Sequence, residues 1–164
     1  MPNALLRQIE TTTLCYDDFE VGDEWQSSAR TVSEADVVNF AGLSADYNSL
    51  HVDAEYAAAT AFGQRIAHGL LVLAIASGLC SRLAVMKLLE KSILGLAGLQ
   101  VRWRKPTFLG DTLHVVMRIA AKEPGNKSDR GSLILDRRVI NQRGEVVMES
   151  DWRLVVRRRD GASQ

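Results

Sequence analysis

The sequence is poor in features that would place it in a specialised class. Two cysteines in 164 residues, Cys15 and Cys80, do not make a disulfide framework, and Cys80 lies in an apolar run, the usual setting of a buried free thiol. No His or Cys spacing matches a structural zinc site. Twenty basic and twenty acidic residues cancel, so no field of one sign points to nucleic acid or to an anionic membrane. The longest uncharged stretch, Gly69 to Ser81, is broken by Arg82 and falls short of the roughly 20 apolar residues that span a bilayer. The first twenty residues lack the apolar core of a signal peptide, so the expected location is the cytoplasm. Internal repeats, low-complexity linkers and shifts of composition are absent too, which argues against a second folding unit.

What is present is an ordinary globular composition, 46% apolar and 24% charged, in a chain long enough to bury a core. Ser33 followed by Asp36 is a variant capping box, and the helix it opens should present Val37, Val38, Phe40 and Ala41 to the core before ending near Gly42 to Ala45. Asp53 is a second N-cap, for the alanine-rich segment 54–62 that Gly63 ends. From Leu70 to about Leu89 the chain is apolar on nearly every side, as in a helix at the centre of a fold; continuous, it would be roughly 30 Å long. Beyond it the period changes to two. Val101 and Trp103 alternate with Arg102 and Arg104; Leu113, Val115, Met117 and Ile119 share one face; and Val146, Met148, Trp152, Leu154 and Val156 form another. Four strands joined by turns read as an antiparallel meander. A sheet with one apolar face and a helix needing burial all round satisfy each other when the sheet wraps the helix, an α+β arrangement.

Between the first two helices lies SADYNSLHVD, residues 44–53, where Asp46, Asn48 and His51 fall within six positions that neither period explains. Downstream come Phe62-Gly63, then Ile66-Ala67-His68-Gly69 opening the apolar helix, and KPTFLGDTL with Pro106, Gly110 and Asp111. In element order and in these motifs, over residues 16 to 156, the chain resembles the hot-dog fold, and within it the MaoC-like dehydratases, or R-specific enoyl-CoA hydratases. That family carries Asp-x-Asn-Pro-x-His-x-Asp followed by Ile-Ala-His-Gly. One position departs: Ser49 stands where the family has proline, which removes a pre-set turn but no chemical group.

The resemblance implies one hot-dog domain over 16–157, with an N-terminal arm of residues 1–15 and a C-terminal tail of residues 158–164. It implies a hydro-lyase of acyl metabolism that interconverts 2-enoyl and R-3-hydroxyacyl thioesters, carried on coenzyme A or acyl carrier protein, without metal or other cofactor. By the same resemblance Asp46 and His51 hold and activate a water, and the Gly69 N–H, at a helix N-terminus where donors lack partners, stabilises charge on the thioester oxygen. Such a donor is worth about 3–4 kcal/mol in measured enzymes. Asn48 holds the loop or orients the histidine; His68 is either a structural hydrogen-bonding group or a substrate contact. Arg65, with Arg102, Arg104 and Lys105, is either a contact for the phosphates of coenzyme A or a solvated charge. His114 reads as incidental, and Arg157 to Arg159 as a solvated tail. The rivals are a hot-dog thioesterase, which would hydrolyse the thioester, and a non-catalytic thioester-binding subunit. The resemblance also implies a homodimer or a larger assembly of dimers, and an unpaired sheet edge is in any case a liability.

Overall fold

The period-two segments are four long antiparallel strands in the computed structural model, which describes residues 3–159. They are β3 (Ile93–Trp103), β4 (Thr112–Pro124), β5 (Arg130–Ile140) and β6 (Val146–Arg157). Two short strands, β1 (Glu24–Gln26) and β2 (Arg30–Thr31), both pair with β4, so the sheet runs β1-β4-β5-β6-β3 with β3 at a free edge. Residues 1 and 2 of the expected arm and 160–164 of the expected tail lie outside the described residues.

Six α-helices occur among the described residues: α1 (Ala4–Thr11), α2 (Glu34–Ser44), α3 (Ser49–Val52), α4 (Ala54–Ala58), α5 (Gly69–Ser81) and α6 (Ala84–Leu89). The caps are as the sequence suggests. Ser33 accepts a hydrogen bond from the Asp36 N–H while the Asp36 carboxylate accepts from the Ser33 N–H. Asp53 accepts from the Tyr56 N–H and opens α4. Inward residues Leu113, Val115, Met117 and Ile119 of β4 and Leu133, Leu135 and Val139 of β5 form the floor of the core, and α5 lies on it through Leu71, Val72, Ile75, Ala76, Leu79 and Cys80. This is the hot-dog arrangement.

Several expectations are corrected. The apolar helix is not continuous to Leu89: Leu83 is extended, and α6 leaves the α5 axis at 77° to deliver the chain to β3. Nor is α5 buried all round, since Leu70, Ala74 and Gly78, a stripe at i, i+4, i+8, are exposed. No single helix among the described residues is long and apolar enough to cross a membrane. Of the α2 face, Val37 and Ala41 are buried but Val38 is exposed. The second capped helix ends at Ala58 rather than Phe62. The C-terminal arginines are not simply solvated: Arg158 pairs with Asp17 and Arg159 with Asp18, in the 3-10 turn Tyr16–Asp18.

The turn that starts β4 is tied to the β5–β6 hairpin by charge. Gly110 takes φ +90°, which an L side chain rarely adopts, and so delivers Asp111 inward. There Asp111 accepts hydrogen bonds from the Phe108 N–H, Gln142 and Arg143. Burial alone would raise its pKa, but those donors, Arg143 foremost, outweigh it, and the carboxyl titrates below its ordinary 3.8. Across the hairpin Asn141, Lys105 and Arg143 hold Glu145 down to about 2. A carboxyl with a depressed folded pKa stabilises the fold above its unfolded pKa, and that contribution is lost as pH falls through the folded value. Replacing Asp111→Asn is therefore expected to cost about 1.5–3 kcal/mol at neutral pH. In urea unfolding, the difference from the parent chain should shrink as the pH is taken below 3.8.

Candidate active site

Asp46 and His51 do not share a regular helix. Asp46 follows the left-handed residue Ala45 that ends α2, and His51 rides on the single turn of α3. The Asn48 side chain accepts from the Leu50 N–H, and so caps α3; this is its loop-holding role made specific. The Asp46 carboxylate accepts a 3.3 Å hydrogen bond from the Asn48 N–H. His51 Nδ1 lies 2.8 Å from the Ile66 carbonyl oxygen. A carbonyl only accepts, so Nδ1 carries the proton, and in the neutral ring Nε2 presents its lone pair.

His68 is only 2% exposed and ties this loop to α5. Its Nε2–H donates to the Asp46 carbonyl at 2.9 Å, and its ring stacks on His51 with centroids 3.8 Å apart and on Phe40 at 5.0 Å. Its Nδ1 is buried and has no hydrogen-bond partner. The side chains of Asp46, His51 and His68 each place a donor atom within 4.8 Å of the others, the one group among the described residues close enough to hold a metal ion. The same closeness suits a water held by a carboxylate and an imidazole.

Gly69 is the first residue of α5, where an N–H has no partner within the helix. A Cβ at this position would lie 2.7 Å from Trp103 Nε1, whose N–H donates to the Gly69 carbonyl at 3.0 Å. Glycine is thus required by the approach of an indole from β3. A cleft of about 340 Å³ opens here, its walls including Phe62, Ile66, Gly69, Val72 and Trp103. Asp46, His51 and His68 adjoin it through Ile66 and Gly69. A larger cleft of about 500 Å³, between Ser81 and Ile93, lies at the other end of α5 and has no such group of donors.

The four basic residues considered for phosphate contact are all paired. Arg65 is held bidentately by Glu34, Arg102 by Asp151, Arg104 by Glu149 and Lys105 by Glu145. Arg104 and Lys105 nevertheless line the cleft. Sequence reasoning did not single out three further groups: Trp103 as the partner of Gly69, Phe40 as the packing surface for His68, and the Ile66 carbonyl that sets the His51 tautomer. The first two look like ordinary core positions in the sequence, and the third is a main-chain atom.

A sheet curled round a helix, with a carboxylate, two imidazoles and a helix N-terminal N–H gathered at that helix's start, defines a hot-dog domain with a group of polar side chains beside a cleft. The MaoC-like domain model matches residues 18–134. The chain is 30% identical over 141 residues to the (R)-specific enoyl-CoA hydratase of Rhodospirillum rubrum, covering 86% of this chain and 90% of that protein. A solved MaoC-like dehydratase from the same organism superposes with a TM-score of 0.80 at 35% identity, over 89% of this chain and 98% of the other. The present chain is also 33% identical over 118 residues, 71% of its length, to Protein MaoC of Klebsiella aerogenes, but spans only a third of that longer protein. The chain belongs to the MaoC-like family and is by that membership an enzyme of the hydro-lyase class.

Ser49 bears on stability. It is the first residue of α3, where proline's missing N–H costs nothing, and Asn48 before it has φ −57° and ψ 134°, the conformation a residue preceding proline prefers. Ser49→Pro should therefore stabilise the protein by about 0.4–1 kcal/mol. Thermal unfolding should show a rise of about 1–4 °C, and a fall would mean that the loop does not accept a fixed φ.

Proposed function

We propose that the protein catalyses reversible hydration of 2-enoyl thioesters, most simply enoyl-CoA, to R-3-hydroxyacyl thioesters. One observation carries this reading: Asp46 and His51, brought together across the α2–α3 loop, sit beside the N-terminus of α5 with the His51 Nε2 lone pair unengaged. A water between the Asp46 carboxylate and His51 Nε2 gives a proton to the imidazole as its oxygen attacks the β-carbon. The developing enolate oxygen is met by the Gly69 N–H, where the α5 dipole favours negative charge. The proton then returns through the same pair to the α-carbon. The atoms of one water are added, and no redox partner is needed. In this reading His68 is a positioning residue, fixing the Asp46 main chain and packing on His51.

The test uses crotonyl-CoA, following enone absorbance and free thiol together. Loss of enone without release of thiol is expected; release of thiol would make the protein a thioesterase instead. Asp46→Asn and His51→Ala should each lower turnover by about a hundredfold or more with the circular dichroism spectrum unchanged. Full activity in either variant would remove the mechanism.

We propose further that the active form is a homodimer. β3 offers an unpaired edge bearing Leu94, Leu96, Leu99 and Trp103, all exposed, and α5 adds the exposed Leu70. Contiguous apolar surface of this kind marks an interface. Light scattering should give twice the chain mass of 18.1 kDa, and Leu96→Glu should shift the protein towards the monomer.

A further inference from the structure

Arg137 is out of place. It lies on β5 between Leu135 and Val139, on the face turned towards α5, and is 2% exposed. A guanidinium remains charged in proteins, and a buried one is normally found with a carboxylate. Here Nε and Nη1 are both buried without a hydrogen-bond partner, and no described residue forms an ion pair with it. Arg65, Arg102, Arg104, Arg143, Arg158 and Arg159 each have an acidic partner, so acidic groups are not scarce. Among the described residues its one organised contact is a stack on Trp152, with Cζ 3.8 Å from the ring centroid. Beside that stack the hydrogen-bonding edge of the guanidinium, the edge that recognises a carboxylate through two parallel hydrogen bonds, is left without a partner.

The place of Arg137 says which carboxylate. Positions 69, 73, 76 and 80 share one face of α5. At its start Gly69 meets Trp103 of β3, in the cleft; at its end Cys80 is close enough to Arg137 for the positive charge to act against the burial that raises the thiol's pKa. On the strands the order is the same: Trp103 pairs with Met148, Val101 with Ser150, which pairs with Arg137, and Leu99 with Trp152. An acyl chain with its carbonyl at Gly69 would, if it followed this seam, reach Arg137 and Trp152 at the far end. Gly69 and Cys80 are roughly 16 Å apart along the helix axis.

We propose that Arg137 is a terminal subsite for the acyl chain, binding the free carboxylate of an acyl thioester whose far end is anionic. The substrates would then be ω-carboxy 2-enoyl thioesters, the thioesters of dicarboxylic acids, in preference to plain alkyl chains. The proposal rests on the hydratase reading for the direction of the chain, and deepens it by naming the substrate class.

The experiment is calorimetric binding to the full chain of saturated probes that cannot be hydrated. The series succinyl-CoA to sebacyl-CoA is compared with butyryl-CoA to decanoyl-CoA of matching length. At the best length the dicarboxylic probe should bind about a hundredfold tighter, since a site built for a polar group strongly rejects an analogue lacking it. Arg137→Met should reverse that order, and Arg137→Lys should retain part of it. Equal binding of both series by the parent chain would overturn the proposal without any variant having to fold. So would a Met variant that loses both series alike, or keeps the preference for the carboxylate; the first result would make Arg137 a structural residue or the partner of a carboxylate from a second copy. The two readings fail separately. Hydration of crotonyl-CoA without discrimination between the series sinks the subsite alone, whereas discrimination without hydration of crotonyl-CoA or of any ω-carboxy enoyl-CoA sinks the reaction and leaves the subsite standing.

Discussion

The start of α5 is the point on which the rest of the structure depends. Three independent contacts converge on His68 and Gly69. The His68 imidazole donates to the main chain of Asp46, its ring packs against His51, and the Trp103 indole donates to the Gly69 carbonyl. The first two tie the α2–α3 loop to the helix, and the third ties the helix to the edge strand. None would be worth much alone, since a single hydrogen bond contributes only about 1 kcal/mol net. Together they fix in one frame a carboxylate, an imidazole and a helix N-terminal N–H that come from separate elements. Preorganisation of this kind matters more to catalysis than the strength of any one contact.

Features that depend on neighbours in the chain were legible in the sequence. The Ser33–Asp36 box and the Asp53 cap are local hydrogen bonds, written in residues three apart. The inward faces of β4 and β6 show as period-two patterns because each strand lies between a wet side and a dry one. That Asp46, His51 and Gly69 belong together was suggested by the resemblance of their motifs to a known family, and the structure brings Asp46 and His51 to the start of the helix that Gly69 opens. What remained hidden depends on distant partners. The corner at Leu83 contains neither glycine nor proline; it forms because α6 must turn to reach β3, not because the local sequence forbids a helix. Strands of three and two residues, as in β1 and β2, are too short to show a period. Arg65 looks available until Glu34, 31 positions away, is seen to occupy it.

Arg137 and Arg138 show the same limit most sharply. They are adjacent in LDRRVI, and in composition they are the same pair of charges. The pleat sends them to opposite faces: Arg138 pairs with Glu24 outside, while Arg137 stacks on Trp152 within. Strict alternation from Leu133 would put position 137 among the inward residues, so the pattern itself marks that arginine as an exception. A charge at an inward position without a partner costs stability, and such a cost persists where the group has a task.

The exposed stripe of α5 and the free edge of β3 follow from one geometric fact: the sheet of a single chain does not close round its helix. The α5 sequence is apolar on faces this sheet does not reach, and the residues that remain uncovered, Leu70, Ala74 and Gly78, carry no charge. Sequence alone therefore reports that the helix is to be buried, but not by what. The cleft beside Gly69 is bounded on one side by that same edge strand, through Trp103. Any partner that covers β3 will form or reshape a wall of the cleft, so assembly and access to the site are coupled by position.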